Sequence, residues 1–209
     1  LDKDASGLVL VALTIDAYHA LRGQFERRSI EKRYWAVVEG RPSKPAGLIR
    51  RPILEVQGRE KPAKTPPAGK PAATAYRTLD TSRTASLLEC RIGPGRLHQI
   101  RVHLASIKCP ILGDARYAPP AAAQASRRLA LHAFLLEFDD PDPTPSGGRP
   151  GGPVRVVSPW PGDLQETLRA ARLRTPNSAT GAPESTGEGE PVDDRGRTAQ
   201  GAGGEAEPS

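Results

Sequence analysis

Two acids, a serine and a glycine share the first seven residues, LDKDASG. A carboxylate held in such a turn can attack an electrophilic carbon or take a proton. Asp2 and Asp4 are equally compatible with an ordinary solvated turn, because Asp, Ser and Gly are common turn formers. A second concentration is GRLHQIRVH, where Arg96, His98, Gln99, Arg101 and His103 follow a glycine break and open a helical pattern. Backbone N–H groups at a helix start, flanked by arginines, make an anion site; the same residues also describe a solvated basic helix face. The third is EKRYWAVVEG, with Lys32, Arg33, Tyr34 and Trp35 in succession. Aromatic rings that stack bases, beside cations that take phosphates, hold single-stranded RNA in this way. Strand side chains alternate, so one of the two rings faces the core, and Trp35 is assigned there.

Other enzyme signatures are absent: the sequence has no GxxxxGK[ST] loop, no GxSxG and no HExxH. Cys90 and Cys109 form no CxxC and read as reduced core thiols. The four histidines give no ligand set, so no metal is expected.

The elements that must position these residues follow from hydrophobic periodicity. LVLVAL (Leu8 to Leu13) has strand length, and Thr14 then caps a helical pattern in which Tyr18, Leu21 and Phe25 share a face. RYWAVVEG is a strand that stops at Gly40. Residues 41–73, rich in proline and bases, read as a long basic loop with at most the short strand LIRRPI, which carries Arg50 and Arg51. TAYRTLDT and SLLECRIG are two further strands, the second with Leu88, Cys90 and Ile92 alternating against Leu87, Glu89 and Arg91. In LHQIRVHLASIK, Leu97, Ile100, Leu104 and Ile107 fall on one helical face, with Arg101 at its edge. Residues 117–128 read as a loop, LALHAFLLEF as a strand or buried segment that a Pro/Gly run separates from VRVVSPWP, and Asp163 to Arg172 as an amphipathic helix. Strands with intervening helices and long loops indicate an α/β or α+β fold.

From Pro176 to Ser209 there is no aromatic residue, and Val192 is the one sizeable aliphatic. Such a segment cannot offset its ordering entropy by burial, so residues 1–175 are expected to form one domain and residues 176–209 a disordered acidic tail. The tail holds seven acids against two bases, a net −5, so the +6 of the whole chain leaves +11 on residues 1–175. A charge of that sign and size suits a partner made of phosphates. No apolar stretch approaches the roughly 20 residues of a membrane span, and a soluble, cytoplasmic, monomeric protein is expected.

Singly these clusters are weak, but their order and wording resemble those of the RluA-type RNA pseudouridine synthases. LDKDASGLVLVALT resembles the first signature of that family, a pattern like HRLDxxTSGLLLxAK. EKRYWAVVEG is similar to its KxYxAxVxG segment, and GRLHQIRVHLASIKCPILGDARY to its GRTHQIRVHxxxxGxPIxGDxxY signature. LALHAFLLEFDDP and VVSPWPGDLQETL match two later stretches. Ala5, Pro94 and Leu97 depart from the residues usual in the family. The family pattern begins earlier than Leu1, so part of the sheet is expected upstream.

The resemblance implies a pseudouridine synthase catalytic fold, with a mainly antiparallel mixed sheet flanked by helices. It implies isomerisation of a uridine in rRNA or tRNA to pseudouridine, without cofactor or metal. Asp2 takes the place of the catalytic carboxylate, Arg101 that of its arginine partner and Tyr34 that of the active-site tyrosine. Lys32, Arg33, Arg96, His98, Gln99, Arg50 and Arg51 are candidates for RNA contact, with Lys61 and Lys64 behind them. The competing expectations are a non-catalytic RNA- or ribosome-binding paralogue, an inactive fragment, or a basic RNA chaperone. Asp2→Asn separates these from an enzyme, because only an enzyme loses its activity while still binding RNA.

Overall fold

The computed structural model describes residues 1–54, 69–93, 95–141 and 152–177. Lys61, Lys64, Pro94 and the tail beyond Asn177 lie outside the described residues. The strands are β1 (Ser6–Gly7), β2 (Glu31–Glu39), β3 (Ala46–Arg50), β4 (Ala73–Thr81), β5 (Ala85–Ile92), β6 (Leu131–Asp139) and β7 (Pro153–Val157). The helices are α1 (Ile15–Arg27), α2 (Gln99–Ser106), α3 (Pro120–Gln124) and α4 (Gln165–Ala171), the last preceded by a 3-10 turn, Gly162–Leu164. Among the described residues the strands form one sheet in the order β1-β6-β2-β5-β4-β3, with β7 also on β6. Only β1 runs parallel to its neighbour; the other pairs are antiparallel. This is the α+β architecture expected from the sequence.

The central strands are apolar on both faces, which is why they sit inside. Trp35, Ala36, Val37 and Val38 of β2 are fully buried, as are Leu87, Leu88 and Cys90 of β5. Fully burying a leucine-sized side chain contributes about 1.5–3 kcal/mol, so these rows dominate the stability of the sheet. Residues paired across a ladder share a face. Tyr34, Cys90 and Tyr76 therefore line one face, and Trp35, Glu89 and Arg77 the other.

Helix α2 covers the Tyr34 face. Gln99 donates its amide to the Ala73 carbonyl at 2.9 Å and to Thr74 Oγ1 at 3.2 Å, and His103 Nδ1 meets the same hydroxyl at 2.8 Å. On the opposite face Trp35 stacks on Phe134 with centroids 3.9 Å apart, and Trp160 closes over the pair. Phe134 reaches Trp35 because His132 pairs with Trp35 and strand side chains alternate, which puts residues 132 and 134 on that face; the register shift beyond it, between Arg33 and Tyr34, leaves Phe134 without a partner on β2. Leu164 and Leu168, fully buried, fasten the C-terminal helix to this layer.

Several local expectations are corrected. Leu8–Leu13 forms no strand. After the Leu8 N–H donates to the Ala133 carbonyl at 2.9 Å, the free edge of β6 is taken by β7 from Leu135 onward, so the segment has no ladder to join. Val9, Val11 and Leu13 stand in the open, Leu13 at 92% exposure. In α1 the Thr14 cap forms as expected, Oγ1 accepting from Ala17 N at 3.1 Å, but the buried residues are Leu21 and Gln24 rather than Tyr18 and Phe25. The Gln24 carboxamide exchanges two hydrogen bonds with the backbone of Asp139, and this polar clamp sets the rotation of the helix. Leu97 lies outside α2 and is exposed, because His98 takes a left-handed conformation, φ 54°, and the helix begins only at Gln99. The 117–128 segment contains the short helix α3. Both cysteines are free and buried.

Candidate active site

Asp2 is carried by a turn in which the Ala5 N–H donates to its own carbonyl at 3.0 Å. The turn is anchored immediately afterwards. Ser6 Oγ and His132 Nδ1 lie 2.9 Å apart, and Gly7 pairs with Ala133. Gly7 has φ +113°, and a Cβ there would lie 2.2 Å from the Ala133 carbonyl oxygen, so this position admits only glycine. The sequence DASG thus seats a carboxylate beside a buried strand 126 residues away.

Arg101 approaches from α2. Its Nη1 lies 3.5 Å from Asp2 Oδ2. The other edge of the guanidinium makes a two-pronged pair with Asp114, Nε to Oδ2 at 2.9 Å and Nη2 to Oδ1 at 2.7 Å. Both partners are buried, so the fork is shielded from water. Burial pulls Arg101 down, but the hydrogen bonds and charge of Asp114, with the Asp2 charge added, outweigh it and leave the guanidinium above its ordinary value. Asp114 is itself fixed by the backbone N–H groups of Arg116 and Tyr117, at 3.0 and 3.2 Å. The chain reaches it through Gly113, φ +77°, whose missing Cβ leaves room for the Arg128 carbonyl. The Tyr117 ring lies 5.1 Å from the Arg101 guanidinium carbon, and its hydroxyl is 2.8 Å from His98 Nδ1. Burial pulls His98 below the usual imidazole range, so the ring is neutral at neutral pH.

Two clefts meet at this ridge. The smaller, 240 Å³, is lined by Asp2, Tyr34, Ile92, Arg96, Ile100 and Leu131 among others. The larger, 1170 Å³, is lined by Lys3, Asp4, His98, Arg101, Arg116 and Arg127 among others. Burial, with the Asp2 charge added, pushes the Tyr34 hydroxyl up to about 12, so it stays protonated and able to donate.

The structure therefore brings together Asp2, Tyr34, Arg101, Arg96 and His98. It distributes the other candidates elsewhere. Arg33 faces the opposite side of the sheet from Tyr34 and is held there by Glu31 and by Glu89, the latter at 3.5 Å. Lys32 lays its ammonium 5.0 Å over the ring of Phe25 on α1. Gln99 is buried, and its carboxamide is spent on Ala73, Thr74 and the Arg96 N–H. Arg50 lines a separate cleft with Arg28 and Pro52, and the Arg51 carbonyl accepts from His103 Nε2 at 2.9 Å. Sequence reasoning missed Asp114, Tyr117 and the bases Lys3, Arg116 and Arg127. One signal for Asp114 was present: an arginine on the edge of an apolar helical stripe needs a buried counter-charge, and GDARY offers one directly after a glycine break. No group of histidine, cysteine and acidic residues able to hold a metal occurs among the described residues, and no described helix is long and apolar enough to cross a membrane.

The family model for RNA pseudouridylate synthase matches residues 1–106, the half of the chain that contains Asp2, Tyr34 and Arg101. The chain belongs to the RNA pseudouridylate synthase family. Among its relatives, the ribosomal large subunit pseudouridine synthase D of Nitrosomonas europaea is 39% identical over 194 residues, covering 88% of this chain and 53% of that protein. An RNA pseudouridine synthase of Mycobacterium bovis is 37% identical over 177 residues, covering 82% of this chain and 54% of the relative. The chain thus spans about half the length of the curated relatives it matches. Among solved structures, human RNA pseudouridylate synthase domain containing 4 superposes with a TM-score of 0.68 at 26% identity, covering 85% of this chain and 76% of that one. In this family member the signature residues Asp2, Tyr34 and Arg101 converge on one ridge between two clefts.

Proposed function

We propose that this chain is the catalytic unit of an RNA pseudouridine synthase that isomerises specific uridines to pseudouridine, with Asp2 as the reacting carboxylate. The observation that carries the reading is the approach of Arg101 to Asp2, 3.5 Å, at the mouth of a cleft walled by Tyr34, Ile92, Ile100 and Leu131. At 240 Å³ the cleft lies below the roughly 300–1,000 Å³ of drug-sized sites, which suits one nucleobase and little more. Its apolar walls and the protonated Tyr34 hydroxyl offer a flipped uracil stacking and one hydrogen-bond donor.

Isomerisation breaks the bond from ribose C1′ to N1, turns the uracil and joins C1′ to C5; the proton on C5 leaves and N1 gains one. Asp2 can serve by attacking the base or the sugar, or by taking a proton from the sugar. Each route uses a lone pair on a carboxylate oxygen. Arg101 sets an opposite charge beside that oxygen and aims it. The larger cleft, with Lys3, Arg116 and Arg127, suits the flanking phosphates.

Ribosomal RNA is the favoured substrate, because several relatives carry large-subunit names. The protein acts as a monomer in the cytoplasm in this reading. The test maps pseudouridine across total RNA from cells with and without the gene, complemented by wild type or Asp2→Asn. Loss of a specific rRNA pseudouridine, restored by wild type alone, is expected; restoration by Asp2→Asn would refute the proposal.

A further inference from the structure

Arg101 faces two carboxylates and treats them unequally. Asp114 receives two short hydrogen bonds, 2.9 and 2.7 Å, in the planar fork geometry that arginine favours. Asp2 receives one contact at 3.5 Å, the outer limit of a hydrogen bond. The asymmetry is built in. Asp114 is tied by two backbone N–H groups, its approach depends on Gly113, and the Tyr117 ring packs against the guanidinium. The arginine is thus fixed from the side away from Asp2.

A carboxylate gripped by a guanidinium fork is a poor nucleophile and a poor base, because its lone pairs are engaged and its charged form is over-stabilised. We propose that Asp114 is a positioning residue that keeps Arg101 at a stand-off from Asp2, close enough to orient the carboxylate and too far to lock it. This rests on the catalytic reading of Asp2, but not on which atom Asp2 attacks.

Replacing Asp114 by Asn removes the charge that claims the fork, and Arg101 then turns its fork to Asp2. A guanidinium in two-bond contact favours the charged carboxylate, so the acid limb of the kcat–pH profile moves to lower pH. The plateau kcat falls by about tenfold or more, the cost of one decade or more of barrier, while RNA affinity is retained. The other ionisable groups facing the pair or lining its two clefts are Tyr34, His98, Tyr117, Lys3, Asp4 and the arginines Arg96, Arg116, Arg127 and Arg128. Asp4 shares the reference range of Asp2 and His98 has one near neutrality, so the profile is measured in Asp4→Asn and His98→Asn backgrounds as well.

The experiment compares the full protein with its Asp114→Asn variant, measuring kcat, KM and the acid limb on a ribosomal RNA transcript, together with thermal stability. A limb that stays put or moves to higher pH would overturn the proposal, because a loosened α2 or a lost Arg101 acts in that way. A second arm needs neither activity nor a folded Asp114 variant. Asp2→Ala should leave the melting temperature within a few degrees of wild type, since Asp114 and the Tyr117 ring hold Arg101 without it; a large drop would show that Asp2 is part of the clamp and overturn the stand-off. Absence of any conversion by wild type would defeat the catalytic reading, while this second arm would still judge the clamp.

Discussion

Tyr34 and Trp35, consecutive in the chain, stand on opposite faces of β2. Tyr34 opens onto the cleft with Asp2, while Trp35 is fully buried against Phe134. The two positions should therefore fail in different ways. Trp35→Ala is expected to cost about 3–5 kcal/mol of stability, read by denaturant unfolding. Tyr34→Phe should leave unfolding nearly unchanged and lower kcat by about 10²-fold, the range typical of losing a proton-handling group. A stable, fully active Tyr34→Phe protein would remove the hydroxyl from the mechanism.

Arg101→Ala strands the buried carboxylate of Asp114. The expected loss is about 3–5 kcal/mol, with activity abolished. Arg101→Lys keeps the charge without the fork, so it should recover part of the stability and little of the activity. Equal activity of the lysine and arginine proteins would show that geometry at this position is irrelevant.

Burial holds His98, His103 and His132 below the usual imidazole value. The unfolded chain accepts protons that these sites refuse, so stability is present above about pH 6.5 and is lost as the pH falls below it. Each histidine that fully refuses a proton contributes a slope of up to about 1.4 kcal/mol per pH unit. Denaturant midpoints between pH 7 and pH 5 should fall, and His103→Gln should flatten that fall. An unchanged slope in the variant would mean that His103 is protonated in the folded state.

Gly7 and Gly113 press on backbone at 2.2 and 2.0 Å from where a Cβ would sit, both at positive φ. Alanine at either should cost about 3 kcal/mol or more, combining backbone strain with a forced shift of β6 or of the segment before it. Gly40, at φ +70° with open space around it, is the control. Its alanine variant should cost only about 1 kcal/mol, from the left-handed conformation alone.

Lys3 and Arg127 are exposed in the larger cleft, whereas Arg33 is engaged by two glutamates on the far face. In an Asp2→Asn protein, which binds without turnover, Lys3→Ala and Arg127→Ala should each lower the slope of log affinity for oligouridylate against log salt by about 0.7. Arg33→Ala should leave it unchanged. The reverse pattern would move the RNA path to the other side of the sheet.

The strands were legible because their apolar runs and glycine stops are local, and Thr14 announced its helix through a side chain that caps it. Leu8–Leu13 misled for a physical reason. Strand composition says that a segment can join a ladder, whereas the ladder it would join had been filled by β7, 145 residues further along, as the pairing of Ser6 with His132 and of Leu135 with Val157 makes plain. The candidate residues for RNA contact were the least legible. Arg33 and Lys3 are equally basic in sequence, and only the alternation of β2 and the placement of the first turn decide which of them faces the cleft. Asp114 was hidden because its importance depends on the burial of Arg101, which the edge of a helical stripe left open.

The two-residue strand β1 has a consequence for biosynthesis. The turn that presents Asp2 is docked by hydrogen bonds from Ser6 and Leu8 to His132 and Ala133, and Arg101 and Asp114 come from between them in the chain. Contacts this distant close late, after the loops they span have been ordered. While the ribosome is still translating toward β6, Asp2 has left the tunnel but has nothing to rest on. The nascent chain thus lacks the proposed site, which is assembled only when β6 arrives.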